Sequence, residues 1–70
     1  MESRVRERLT DIESRIIELV AQGLGNEEIA RELYVSRHTV KAHLSVILKK
    51  LRASNRTHAT YIALKEHLIR

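Results

Sequence analysis

The sequence predicts an all-α domain, a compact bundle of four short helices. Three observations carry that expectation. Among 70 residues there is no Pro, Phe or Trp and there are only 2 Gly, so the aromatic and turn residues of strand architectures are scarce. Apolar residues recur at intervals of three and four, the helical period. Capping residues stand in front of those periodic runs. The length admits one domain, and a chain of this size buries only ~60% of its unfolded surface, so few apolar positions can be spared. With 43% hydrophobic and 31% charged residues, the composition is neither that of a disordered chain nor that of a membrane span. The chain has no Cys, which excludes disulfides and Cys-ligated zinc.

Residues 1–8 alternate in charge without an apolar stripe and read as a flexible lead-in or linker remnant, with the domain over 9–70. No apolar signal-peptide core follows that start, so a cytoplasmic location is expected. The first helix, about 11–22, starts at a capping box in which Thr10 and Glu13 each satisfy the other's backbone amide. Leu9 precedes it, suited to a hydrophobic staple. Ile12, Ile16, Leu19 and Val20 form its expected core stripe, flanked by Ile17. Gly23 and Gly25 are expected to end it, because glycine takes a positive φ cheaply.

The second helix, about 26–33, is capped by Gly25 or Asn26, carries Glu27 and Glu28 at its positive end, and buries Ile29, Ala30 and Leu33. Tyr34 and Val35 break the pattern, and Ser36 caps a third helix. Two helices joined by so short a turn form a helix-turn-helix. The third helix, about 37–52, has Val40, Leu44, Ile47 and Leu51 as a continuous core stripe. His38, Ala42, Ser45 and Lys49 fall opposite, with Lys41 and Arg52 on one flank and Thr39 on the other. The fourth helix, about 56–66, follows Ser54 and Asn55, either of which can cap it, and buries Ala59, Ile62 and Ala63. A second stripe, Tyr61, Leu64 and Leu68, either faces a second copy or adds to the core.

The charge is segregated along this frame. The net charge is +4, yet residues 1–36 hold five basic against eight acidic residues, a balance of −3. Residues 37–56 hold six basic residues and no acid, and 57–70 add one further positive charge. A solvated helix face ordinarily mixes both signs. An acid-free helix points instead to a polyanion. Arg37, Lys49, Arg52 and the N-terminal amides of helices two and three are expected to neutralise phosphates. Lys41, with Ser45 and His38, is placed to read base edges, and Ala42 to touch a thymine methyl.

Catalytic and metal chemistry find no support. His38, His43, His58 and His67 are not spaced four apart on one helix face and no carboxylates cluster with them. Ser36 with His38 or His43 lacks a third orienting group, and no Gly-rich phosphate loop is present. The sequence calls for no enzyme activity, metal or cofactor.

The residues Leu9-Thr10, Glu13, Leu19-Val20-Ala21, Gly23-Leu24, Asn26-Glu27-Glu28-Ile29-Ala30 and Leu33 stand in one order with Val35-Ser36, Thr39-Val40-Lys41, His43, Lys50-Leu51, Arg56, Ala59 and Ala63. Through them, residues 9–69 resemble the LuxR-type helix-turn-helix domain of quorum-sensing regulators, two-component response regulators and a few short stand-alone regulators. The resemblance implies transcriptional control in bacteria through double-stranded DNA, as a homodimer on inverted or direct half-sites, and RNA polymerase as a further partner. It implies base contacts at Lys41, Ala42 and Ser45, and phosphate contacts at Ser36, Thr39, Lys49 and the start of helix two at Asn26. The fourth helix, with Tyr61, Leu64 and Leu68, would supply the dimer contact. His43 is expected in packing or next to the DNA backbone rather than in base reading. The sequence departs from the family pattern at Ile12, Arg15, Gly25, Val46 and His67, and the departure at Gly25 shifts the expected cap of helix two toward Asn26.

Two other readings fit parts of the pattern. One is promoter recognition like that of region four of a bacterial sigma factor, against which the fourth helix argues. The other is a protein-interaction module that dimerises without binding DNA. No receiver or ligand-sensing domain fits in 70 residues, so the sequence is expected to be either a stand-alone regulator or the C-terminal domain of a longer one.

Overall fold

The computed structural model describes residues 9–69; the expected lead-in at 1–8 and Arg70 lie outside the described residues. Among the described residues the chain is all-α, with α1 (Asp11–Ala21), α2 (Asn26–Leu33), α3 (Arg37–Leu51) and α4 (Arg56–Lys65). Each boundary falls within one residue of its expected place.

The helix starts follow the capping chemistry, with two corrections. At α1 the Thr10 hydroxyl accepts from the Glu13 amide (3.2 Å) and the Glu13 carboxylate accepts from the Thr10 amide (2.9 Å), closing the box. The cap of α2 is Gly25 and not Asn26; Gly25 is extended (φ −83°, ψ 172°), and its amide donates to Glu28 Oε1 at 2.8 Å. Gly25 therefore plays no part in a left-handed ending of α1, which Gly23 (φ +94°) supplies alone. Ser36 Oγ accepts from the Thr39 amide to open α3. Asn55, not Ser54, caps α4 through the His58 amide, while His58 Nδ1 accepts from the Ser54 amide at 3.0 Å.

All four helices end alike. The amides of Leu24, Val35, Ala53 and Leu68 donate five residues back, to the carbonyls of Leu19, Ala30, Leu48 and Ala63. The residue before each donor, Gly23, Tyr34, Arg52 and His67, takes a positive φ. This is the Schellman ending, which returns otherwise orphaned carbonyls to the hydrogen-bond inventory. Three of the four left-handed residues carry a Cβ, at ~1–2 kcal/mol each. Leu24, Ala53 and Leu68, which follow three of these turns, pack against the core and offset that cost.

The core is centred on α3, which packs against each of the other three helices. Val40, Leu44, Ile47 and Leu51 are buried as their spacing predicts. On α1 the expected stripe is rotated. Ile17 is fully buried with Ile16, whereas Ile12 is 38% exposed, because buried Glu13 takes the core-facing position one turn before them. On α4, fully buried Ala59 and Ala63 let the helix approach α1 and α3 closely. Helices α2 and α4 share no close backbone contact. Arg56 links them with side-chain bonds, donating to Asn26 Oδ1 (2.7 Å) and to the Leu24 carbonyl (3.1 Å).

Candidate nucleic-acid interface

Burial of one stripe of α3 sets what the opposite face shows. His38, Lys41, Ala42, Ser45, Val46 and Lys49 are exposed, and Thr39 and His43 are half-buried at the edges. No carboxylate lies on α3. The first turns of α2 and α3 stand side by side, and Asn26, Glu27, Arg37, His38 and Lys41 line a single cleft of about 460 Å³. Three donors and an imidazole from two chain segments thus converge on one opening. Lys49 and Arg52 do not join them; at 1.5 Å per residue they lie roughly 18 and 22 Å further along the helix than Arg37.

Local chemistry prepares the cleft. The Arg56 guanidinium holds Asn26 by its oxygen, which fixes the amide with its two Nδ2 protons available. Ser36 and Thr39 share a hydroxyl–hydroxyl bond of 3.0 Å in which either can donate, so one hydroxyl proton of the pair is left over. The helix N-termini add unpaired backbone amides and the positive end of each helix dipole.

The structure corrects the charge count in two ways. Lys50 and Arg56 belong to the basic block in sequence but turn away from the outward face of α3. Lys50 Nζ lies 2.7 Å from Glu13 Oε1, and Arg56 binds Asn26 and Leu24. The outward cations are Arg37, Lys41, Lys49 and Arg52. Glu27, contributed by α2, comes to 4.0 Å from Arg37, with both side chains 70% exposed. That pair is weak, because solvent screens it, but it lowers the positive potential at the cleft. Glu13, by contrast, is nearly buried. Burial pushes its pKa up, but the hydrogen bonds from Lys50 and from the Thr10 amide outweigh that effect and hold the carboxyl below its ordinary range.

The candidate dimer face is smaller than expected. Tyr61 and Leu64 are exposed, and the Lys65 ammonium lies 5.9 Å from the Tyr61 ring centre. Leu68 instead packs half-buried on the core, because the turn at His67 folds it back. Sequence reasoning missed Glu27, the Arg56–Asn26 bond and Tyr34, which is 94% exposed in the turn between α2 and α3. Only the break in periodicity at Tyr34 was a visible signal.

The family model described as bacterial regulatory proteins, luxR family, matches residues 7–63. The chain belongs to the luxR family. This luxR-family domain is 44% identical over 63 residues to the transcriptional regulatory protein LiaR of Bacillus subtilis, covering 90% of this chain and 30% of LiaR. It is 43% identical to the response regulator VraR of Staphylococcus aureus over the same shares. Among solved structures it resembles the response regulator ChrA of a heme-sensing two-component system, with TM-score 0.85, 41% identity, and coverage of 87% of this chain and 30% of that one. It also resembles the transcription factor GerE, with TM-score 0.84, 29% identity, and coverage of 89% and 92%. The luxR-family domain thus spans about 30% of the length of the curated relatives it matches. It is a helix-turn-helix domain of the DNA-binding type found in transcription regulators, and its four-helix fold is that of GerE. The family match stops at Ala63, short of Leu64 and Leu68.

Proposed function

We propose that this domain binds double-stranded DNA sequence-specifically, with α3 in the major groove, and does so as a homodimer through α4. One observation carries the reading: the exposed face of α3 has four cations around it, small residues at its centre, and no carboxylate. Small Ala42 and Ser45 let the backbone approach base edges, which bulkier residues would prevent. Lys41, Ser45 and His38 present hydrogen-bonding groups to those edges, and Ala42 meets a thymine methyl. Arg37, Lys49 and Arg52 neutralise phosphates, with Asn26, Ser36 and Thr39 donating neutral hydrogen bonds to the backbone. Those contacts set register, and the base contacts set sequence.

Dimerisation through Tyr61 and Leu64, with Leu68 at the edge, would place two recognition helices on neighbouring half-sites. RNA polymerase is the further partner this function implies, and the cytoplasm, at the nucleoid, the location. Fluorescence anisotropy with random and selected duplexes across a salt series tests the proposal. With three phosphate-directed cations per domain, log K should fall with log salt at a slope of roughly −3 per bound domain. Binding that is absent, or insensitive to salt, would instead leave the protein-interaction reading.

A further inference from the structure

Val46 is the large apolar residue that α3 leaves in solvent, 42% exposed, while the four residues of its core stripe are buried. At ~100° per residue it lies ~40° from Ala42, on the Thr39 flank of the outward face, with Lys49 within ~60°. Ala42 and Val46 are four residues apart and form one continuous apolar strip, rimmed by Ser45 and Lys49. On a face built from cations and hydroxyls, a branched hydrocarbon cannot serve a phosphate. Its methyl groups offer nothing that a charged oxygen accepts, and each would desolvate that oxygen without compensation.

We infer that Val46 is a sequence-determining residue that reads the 5-methyl group of a thymine. The inference rests on the major-groove reading above and goes beyond it, because it assigns specificity to a side chain with no hydrogen-bonding group. Thymine is the base that presents an apolar group in the major groove. Four residues along α3 rise ~6 Å, and base pairs are spaced ~3.4 Å, so Ala42 and Val46 address bases about two steps apart. The strip therefore selects two thymines in a fixed register, where a polar residue at position 46 would leave only the one that meets Ala42. Burying the branched side chain against a methyl also removes both from water, so the preference has a hydrophobic origin and survives at high salt.

The test removes one methyl at a time from the DNA. Duplexes are selected in vitro with the full 70-residue chain, and each thymine of the selected site is replaced in turn by deoxyuridine, which differs only by that methyl. Affinity is measured for the wild type and for Val46→Ala, an exposed substitution that leaves the buried core intact. At one thymine, about two steps from the base that meets Ala42, loss of the methyl should weaken the wild type about fourfold and leave Val46→Ala unchanged. Deoxyuridine costs that are equal in both proteins at every position would overturn the inference. So would a selected site that lacks thymine at that spacing. Both of those outcomes leave salt-dependent DNA binding intact. Loss of salt-dependent binding altogether would instead overturn the DNA reading, and this inference with it.

Discussion

The Lys50 ammonium donates to the Glu13 carboxylate across 2.7 Å, tying the last turn of α3 to the first turn of α1. The same Glu13 oxygen accepts from the Thr10 amide. One carboxylate therefore closes the cap of α1 and anchors the far end of α3. The price in desolvation is met because each of its charge-stabilising partners is a donor in direct contact.

Glu13→Ala should lower unfolding free energy by about 1.5–3 kcal/mol, since it removes a charge-assisted bond and half of a capping box. Glu13→Gln should lose less, about 1 kcal/mol, because glutamine still accepts from the Thr10 amide. Urea melts of the two variants check the order. Equal losses would mean that the retained Thr10 bond contributes nothing beyond the charged pair with Lys50, and no loss in Glu13→Gln would mean that the charge contributes nothing.

The pH dependence has a definite sign. Folded Glu13 binds its proton more weakly than the unfolded carboxyl does, so its contribution is present in full above the ordinary carboxylate pKa of ~4.3. It is lost as pH falls through the lower, folded value. Stability should therefore be insensitive to this group between pH 5 and 7, by that reference pKa of ~4.3, and decline below it. The decline should be shallower in Glu13→Gln, as measured by thermal melts across pH.

Tyr34 and His67 take positive φ with a Cβ in place. Replacing either by glycine relieves ~1–2 kcal/mol of backbone strain and loses part of that to the freer unfolded chain. Each variant should gain about 0.5–1 kcal/mol, or several degrees in Tm for a chain of this size. Differential scanning calorimetry reads it directly, and a fall in Tm would show that the side chain is held by packing worth more than the strain.

Lys41→Ala and Lys49→Ala should separate reading from anchoring. Lys41→Ala should cost ~1–3 kcal/mol on a selected duplex and relax preference at one base pair. Lys49→Ala should weaken selected and random duplexes alike and reduce the salt slope by about one. Equal losses on both duplexes for Lys41→Ala would remove it from the reading set.

Glu27→Gln should strengthen DNA binding at low salt by a few-fold, on the order of 0.5 kcal/mol, because it removes the carboxylate beside Arg37. The gain should fade as salt rises. A loss of affinity would mean that Glu27 orients Arg37 rather than opposing the DNA.

Local chemistry made much of this protein readable from its residues. A capping box is spelled within four residues, a core stripe within a helix, and a terminator within two. For that reason Thr10 with Glu13, the buried face of α3 and the outward placement of Ala42, Ser45 and Lys49 follow from spacing alone. The chain also carries its family resemblance in that local pattern. Tertiary packing decided the rest. Lys50 meets Glu13 over 37 residues and Arg56 meets Asn26 over 30, and no periodicity reports contacts at such separations. Those two bonds turned two cations of the basic block away from the outward face of α3. Packing also rotated α1, burying Ile17 and leaving Ile12 in water, and folded Leu68 back from the α4 surface. Helical period sets which residues share a face; which of two nearby faces is buried depends on the neighbour that covers it.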